Sequence, residues 1–217
     1  MKKVLLILCL FLASCLANNK QEITQEVPKT KQEKTILALW DSLTAWYGLN
    51  IKDSYPSQLE DILKENDYNY KVINAGISWD TSRWVVEILS LYQDLNIDLV
   101  VLVIGANDWF RGNSIGDLKK NIITAVDTFK KQWAQVVLWW MDIPLNLWLS
   151  YRNSFKKVYQ EVAKSEDIPL IYFFLEWVAW DRSLNLPDAI HPTKEWYAIV
   201  VDNLYNFLIR NNLIQKW

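Results

Sequence analysis

The segment TILALWDSL, residues 35–43, indicates the fold, because an apolar run stops abruptly at an aspartate and a serine. Runs of Ile, Leu and Val without polar alternation are typical of strands that are buried on both faces of a parallel sheet. Such runs recur, and we predict strands at residues 35–39, 70–73, 98–104, 135–141 and 169–173. Residues 35–43 are therefore predicted to be the first strand of the sheet and the turn that follows it.

Segments with helical spacing of apolar residues separate these strands. They cover residues 55–66, 83–95, 115–131, 150–164 and 193–211. This alternation predicts an α/β domain, a three-layer α/β/α sandwich with a mainly parallel central sheet of about five strands. Active sites in such sheets lie beyond the carboxyl ends of the strands. The residues that follow each strand are therefore the candidates for a functional site.

The composition, 51% hydrophobic and 22% charged, is that of a globular domain with a sizeable core. The net charge of −2 gives no basic face for nucleic acid, so a small-molecule substrate is the expected partner. Both cysteines, Cys9 and Cys15, precede the predicted domain, which thus has neither a disulfide nor a cluster of His and Cys to bind a metal. We therefore expect no metal site.

The amino-terminal segment, residues 1–15, has two lysines, an apolar run and then Ser14 and Cys15. The run is a signal-peptide pattern, shorter than the about 20 residues that span a bilayer. Leu-Ala-Ser-Cys resembles a bacterial lipobox, which implies export and lipid anchoring of Cys15 to the cell envelope; an ordinary signal peptide is the alternative. Residues 16–34 are polar and predict a flexible tether, which leaves 35–217 as the domain.

Three polar groups lie where the predicted strands end: Asp41 with Ser42, Asn107 with Asp108, and Asp188 with His191. His191 is the only histidine of the chain. A serine hydroxyl becomes a good nucleophile when a neighbouring base accepts its proton, and histidine is well suited to this near neutral pH. A carboxylate such as Asp188 could orient the imidazole, and Asn107 could stabilise an oxyanion. Each group alone has a structural alternative, as a helix cap or a turn residue.

The order of these groups resembles the SGNH or GDSL hydrolase family. The matching blocks are WDSL at 40–43, NAGISWDTS at 74–82, GAND at 105–108 and DAIH at 188–191. The resemblance, closest to the bacterial thioesterase I, lysophospholipase L1 and arylesterase group, implies Ser42 as nucleophile, His191 as base and Asp188 as its orienter. It also implies an oxyanion hole from the NH groups of Ser42 and Trp79 and the side chain of Asn107, supported by Asp41 and Asp108. The resemblance further implies that no metal and no organic cofactor is needed.

The tryptophans depart from this pattern, since the chain has 13 Trp but only 5 Gly. The family implies glycine at positions 40, 46, 79 and 109, where the chain has Trp. Pairs such as Trp40-Asp41 and Asp108-Trp109 would become common turn dipeptides if the tryptophan were glycine. We hypothesise that the gene uses UGA for glycine and was translated with UGA as tryptophan; codons that are mostly UGG would exclude this.

The predicted activity is hydrolysis of acyl esters or thioesters through an acyl-enzyme intermediate. Two alternatives stay open: a carbohydrate O-acetylesterase that acts on cell-wall or extracellular glycans, and a catalytically silent lipoprotein that binds through its aromatic residues. The sequence predicts neither the acyl chain length nor the oligomeric state, although a monomer is expected.

Overall fold

A parallel sheet of five strands forms the centre of the domain. The structure, a computed structural model, describes residues 32–45, 48–141, 149–172, 182–187 and 191–216. The described strands are β1 (Lys34–Trp40), β2 (Tyr70–Gly76), β3 (Leu99–Val103), β4 (Gln135–Trp139) and β5 (Leu170–Ile171). Their order in the sheet is β2-β1-β3-β4-β5, and every neighbouring pair is parallel. The predicted sheet is thus confirmed, and it is parallel throughout.

Helices cover both faces of this sheet. The described α-helices are α1 (Tyr55–Glu65), α2 (Ser82–Ile88), α3 (Ala106–Phe110), α4 (Ile115–Lys131), α5 (Leu149–Ser165) and α6 (Lys194–Arg210). Helix α1 packs with α6, while α4 packs with both α2 and α5. The predicted three-layer α/β/α sandwich is therefore confirmed. No helix within the described part of the chain combines the length and the apolar character that crossing a bilayer requires.

The core explains why the central strands lack polar alternation. Residues 99–103 of β3 are buried at every position, and Ile36, Leu37 and Ala38 of β1 are fully buried as well. Since β1 and β3 pair side by side from Ile36–Leu99 to Leu39–Leu102, helices must cover both of their faces. Their carboxyl ends therefore deliver the turns after residues 40 and 103 to the same edge of the sheet.

Two predicted segments differ from the observed elements. Helix α2 ends at Ile88 and continues as a 3-10 helix over Leu89–Tyr92, so the helix predicted at 83–95 is shorter than expected. The segment after β3, where no helix was predicted, forms the short helix α3, which begins after Gly105. Gly105 has φ of 115°, a left-handed conformation that glycine adopts readily, and a Cβ atom there would lie 2.3 Å from the Tyr159 hydroxyl.

The predicted signal peptide and most of the predicted tether lie outside the described residues, as does Cys15. Strand β1 begins at Lys34, one residue before the predicted start of the domain. Lipid anchoring through Cys15 and export to the cell envelope stay predictions.

Trp133 provides a test of the glycine hypothesis far from any candidate catalytic group. It follows α4 with φ of 65°, and its side chain is 92% exposed. A residue other than glycine pays about 1–2 kcal/mol in this left-handed conformation, whereas glycine is common just after a helix end. Because the indole buries almost nothing, we expect Trp133→Gly to raise the free energy of unfolding by about 1 kcal/mol in urea denaturation.

Trp133→Ala is the matched control, because it removes the same indole and keeps a Cβ atom. Alanine should leave the free energy of unfolding close to that of the parent. If alanine stabilised the protein as much as glycine, the exposed indole and not the backbone conformation would be responsible.

Candidate active site

The turn after β1 presents Ser42 and is organised by Asp41. The amide NH groups of Thr44 and Ala45 donate to the backbone carbonyl of Asp41, at 3.1 and 2.9 Å. The amide NH of Leu43 donates to Asp41 Oδ1 at 3.0 Å, which is the bond of an Asx turn. Asp41 is buried while Ser42 stays partly exposed. The local sequence Asp-Ser therefore builds a tight turn that leaves the serine accessible. We call residues 41–45 the serine turn.

His191 follows this serine by 149 residues in the chain but contacts it in the folded domain. Its Nε2 atom lies 3.0 Å from Ser42 Oγ, and the imidazole is buried. The backbone fixes the approach, since the amide NH of Leu186 donates to the His191 carbonyl at 2.7 Å and Asn185 forms a bridge with Pro192. When Nε2 is unprotonated it accepts the hydrogen of the serine hydroxyl, which is the arrangement that activates a serine nucleophile. The predicted contact between Ser42 and His191 is thus present.

Asp188, the predicted orienting carboxylate, lies outside the described residues. His191 Nδ1 is the ring atom that such a group would contact, since Nε2 faces Ser42. The assignment of Asp188 as orienter stays a prediction.

Asn107 connects the turn after β3 to the turn after β1. Its Nδ2 atom donates to Asp41 Oδ2 at 2.9 Å and to the backbone carbonyl of Asp80 at 2.9 Å. An amide nitrogen has two hydrogens, so protein acceptors occupy both. Asn107 therefore lies beside the serine turn, as predicted, but it must release or share one of these bonds before it can donate to an oxyanion.

Asp108 has a different role from its neighbour. Its carboxylate accepts from the amide NH of Ser82 at 2.8 Å, from Ser82 Oγ at 2.7 Å and from Asn113 Nδ2 at 3.2 Å. Asn121 of α4 in turn donates to Ser82 Oγ at 2.9 Å. Asp108 thus fastens the start of α2 to the turn after β3, and it supports the site through the segment that contains Trp79.

Trp79 adopts a conformation that suits glycine. It has φ of 70° and a side chain that is 59% exposed, and its carbonyl accepts from Arg111 Nη2 at 2.8 Å. Among the described residues, five other than glycine have positive φ: Asp67, Asp167 and Asn212, which tolerate it, and Trp79 and Trp133. Two tryptophans therefore occupy backbone positions that favour glycine, which supports the hypothesis of misread codons.

A surface depression of about 270 Å³ lies next to Trp79. Its lining combines two indoles with groups of both charges, namely Trp79, Asp80, Thr81, Arg83, Trp84, Glu87 and Arg111. Glycine at positions 79 and 84 would remove both indoles from its walls. The described part of the chain holds no cluster of three or more His, Cys, Asp or Glu side chains that could bind a metal ion.

Two carboxyl groups of the site have raised pKa values. Burial raises the pKa of Asp41 well above its usual 3.8, although its hydrogen bond from Leu43 opposes the shift, and the carboxyl groups of Asp80 and Asp108 raise it further. Partial burial raises the pKa of Asp80 to about 6, against the opposing charge of Arg111. Asp41 and Asp80 therefore favour their neutral forms more than free carboxyls do.

Sequence reasoning named the block at 74–82 but missed how its residues act. Asn74 Nδ2 donates to the carbonyl of Thr44 at 2.8 Å, so β2 also holds the serine turn. A Cβ atom on Gly76 would lie 2.4 Å from the amide nitrogen of Ala45, so this position requires glycine. Asn and Gly at the end of a strand are a turn signal, but the spacing does not show which strand end they contact.

Comparison with known proteins agrees with the fold. Residues 38–199 match the GDSL-like lipase/acylhydrolase family. An arylesterase of Vibrio mimicus is 32% identical over 78% of this chain and 86% of the relative. Thioesterase 1/protease 1/lysophospholipase L1 of Escherichia coli K12 is 28% identical over 77% and 80%. The crystal structure of the psychrotrophic esterase EstA from Pseudoalteromonas, a complex inhibited by monoethylphosphonate, superposes with a TM-score of 0.77 and 26% identity, over 82% of this chain and 98% of EstA.

The site and the fold define an ester hydrolase that carries a serine next to a histidine. The chain belongs to the GDSL-like lipase/acylhydrolase family, since the match covers most of its length. The resemblance seen in the sequence is thus confirmed.

Asp80 should make the stability of the protein depend on pH. Because its pKa rises on folding from 3.8 to about 6, the folded state binds this proton more tightly than the unfolded chain does. The resulting stabilisation is complete below about pH 4 and is lost as the pH rises through 6. Solvent screens this half-buried group, so we expect Asp80→Asn to reduce the loss of unfolding free energy between pH 4 and 7 by about 1 kcal/mol.

Urea denaturation at the two pH values measures this difference. Asp61→Asn, at an exposed position of α1, is the control and should retain the pH dependence of the parent. An unchanged pH dependence in Asp80→Asn would show that this carboxyl does not contribute.

Trp79 gives the glycine hypothesis a test within the site. Trp79→Ala removes the indole from the depression but keeps the cost of positive φ, whereas Trp79→Gly removes both. We expect kcat/KM for a short acyl ester to increase in the order Trp, Ala, Gly. The step to Ala reports the removal of the indole, and the step to Gly should be up to roughly tenfold, because it also relieves about 1–2 kcal/mol of backbone cost. The highest kcat/KM in the tryptophan form would contradict the hypothesis at this position.

Proposed function

We propose that this protein is a serine esterase that hydrolyses acyl esters or thioesters through an acyl-enzyme intermediate. The single observation that carries the proposal is the 3.0 Å contact between Ser42 Oγ and His191 Nε2 at the carboxyl edge of a parallel sheet. Membership of an ester hydrolase family gives this contact its chemical context. Ser42 is the nucleophile, His191 is the base, and Asp188 is assigned the role of orienting the imidazole.

The first half of the reaction forms the acyl-enzyme. Ser42 Oγ attacks the ester carbonyl carbon as its proton passes to His191 Nε2, and the carbonyl oxygen becomes an oxyanion. His191 then gives the proton to the leaving alcohol or thiol, and the tetrahedral intermediate collapses to an ester of Ser42. In the second half, water attacks the carbonyl carbon of this ester as its proton passes to His191 Nε2. The tetrahedral intermediate then collapses, the bond to Ser42 Oγ breaks, and His191 returns the proton to Oγ as the acid leaves.

The oxyanion needs donors that point at the oxygen as charge develops on it. The proposed donors are the backbone NH groups of Ser42 and Trp79 and the Nδ2 atom of Asn107. Because both hydrogens of Asn107 Nδ2 already have acceptors, donation to the oxyanion requires that the bond to Asp41 or to the Asp80 carbonyl opens. The bond to the Asp80 carbonyl is the better candidate for opening, because it is only partly buried, whereas the bond to Asp41 is buried.

The substrate class is proposed from the site and from the relatives' names. Vibrio mimicus has an arylesterase, and Escherichia coli a thioesterase and lysophospholipase, with sequences similar to this chain. The loops expected to border Ser42 are at 79–84, 109–116 and 142–149, of which residues 142–148 lie outside the described part. Phe110, the last residue of α3, is 53% exposed and offers an apolar contact for an acyl group. Aryl, lysophospholipid and thioester substrates all fit this proposal.

Replacement of Ser42 tests the proposal directly. The assay compares short and long p-nitrophenyl esters, an acyl thioester, a lysophospholipid and an acetylated glycan. It uses the chain as written and a version with glycine at all 13 tryptophan positions. Because Ser42 forms the covalent intermediate, Ser42→Ala should reduce kcat at least about 1000-fold in any background that is active.

Ser165→Ala is the matched control, because Ser165 ends α5 at the opposite edge of the sheet, where β5 begins. It should keep the activity of the parent. Hydrolysis that persists in Ser42→Ala would contradict the assigned nucleophile, and no hydrolysis in either parent would contradict the esterase proposal. Cleavage restricted to the acetylated glycan would instead show a carbohydrate O-acetylesterase.

A further inference from the structure

Tyr197 forms a buried hydrogen bond with the serine turn. It lies in the second turn of α6, its side chain is 1% exposed, and its hydroxyl donates to the carbonyl of Leu43 at 2.7 Å. Leu43 directly follows Ser42, and its own amide NH donates to Asp41. The tyrosine therefore fixes the peptide unit next to the nucleophile.

The same helix is connected to the base. Helix α6 begins at Lys194 after the N-cap residue Thr193, so His191 lies three residues ahead of its first turn. The Thr193 amide NH donates to the carbonyl of Leu184 at 2.9 Å, which fixes the approach to the helix. His191, just before α6, and Tyr197, within it, thus contact the neighbouring residues Ser42 and Leu43.

Other hydrogen bonds hold the serine turn without reference to the histidine. Asn74 holds the carbonyl of Thr44 from β2, and Asn107 holds the carboxyl of Asp41 from the turn after β3. Two hydrogen bonds of the described residues join the serine turn to the segment from His191 to α6, namely the Ser42–His191 contact and the bond from Tyr197 to Leu43.

We propose that Tyr197 is a positioning residue that sets the distance between Ser42 and His191. The proposal rests on the esterase function above and adds a residue to it that touches no reacting atom. The hydroxyl is suited to the role because burial, with the charge of Asp41, raises its pKa far above the usual 10.0, so it stays a donor. This bond is a second link, besides the Ser42–His191 contact, between the turn and the segment that leads into α6.

Tyr197→Phe tests the proposal, with Tyr70→Phe as the matched control. Tyr70 is also buried, and its hydroxyl accepts from the Gln215 amide NH at 3.2 Å, but it begins β2 and so lies at the opposite edge of the sheet. A misplacement near 1 Å of a catalytic pair can cost about 100-fold in rate. We therefore expect kcat of Tyr197→Phe to fall about 10- to 100-fold with KM within about twofold, and kcat of Tyr70→Phe to stay close to that of the parent.

The concentration of reactive sites is measured by titration with an alkylphosphonate ester, so that a partly unfolded variant does not imitate a slow one. The assay uses the background in which Ser42-dependent hydrolysis is highest. An unchanged kcat per titrated site in Tyr197→Phe would overturn the proposal, and so would an equal loss in Tyr70→Phe.

A spectroscopic measurement separates this proposal from the esterase proposal. Because His191 is the only histidine, the imidazole nitrogen resonances of the folded protein belong to one residue. We expect the Nε2 resonance to shift in Ser42→Ala and in Tyr197→Phe, since both disturb the contact with Ser42 Oγ, and to stay in place in Tyr70→Phe. An unmoved resonance in folded Tyr197→Phe would overturn the positioning role even if no ester were hydrolysed.

Discussion

The buried carboxyl group of Asp41 is the interaction on which the site depends. One oxygen closes the serine turn through the amide NH of Leu43, and the other receives the side chain of Asn107 from the turn after the neighbouring strand. Burial of a carboxyl group costs free energy unless its oxygens find donors, and here the donors are the groups that the chemistry needs in place. The hydrogen bonds that compensate for the burial of Asp41 thus also order the serine and the asparagine relative to each other.

Several other segments bond to the turn around this group. Asn74 of β2 and Asn107 of α3 contact it from neighbouring strand ends, and Tyr197 of α6 and the preceding His191 contact it from the other side of the sequence. Asp108 acts at one remove, since it fixes the start of α2 and hence the segment that contains Trp79 and Asp80. The sheet order makes this possible, because β2, β1 and β3 are adjacent and all end at the same edge.

The sequence indicated the fold well because its signals are local. Buried runs such as residues 99–103 predict strands whatever their neighbours, and the order of the motif blocks placed Ser42, Asn107 and His191 at one edge. What it could not supply were contacts between distant segments: the second acceptor of Asn107, the bond from Tyr197 to Leu43, and the network of Ser82 with Asn121. A buried tyrosine in an amphipathic helix has the same pattern whether its hydroxyl contacts a catalytic turn or an unrelated carbonyl.

Five of the described tryptophans fall into two structural groups. Trp79 and Trp133 have the left-handed backbone of a glycine, while Trp139, Trp140 and Trp196 are buried in ordinary strand, loop and helix conformations. The backbone conformation therefore favours glycine at positions 79 and 133. At positions 139, 140 and 196 it favours neither residue, and the packing around the side chain determines which of the two fits.

Ser42 and His191 are 149 residues apart in the chain, although their side-chain atoms are 3.0 Å apart. A ribosome must therefore complete almost the whole domain before the base can meet the nucleophile. Until α6 docks against α1, an emerging chain has the serine turn, the asparagine and most of the sheet, but no group that can take the proton of the serine. The order of segments along the chain thus delays the reactivity of Ser42 until the last segments of this domain have been synthesised.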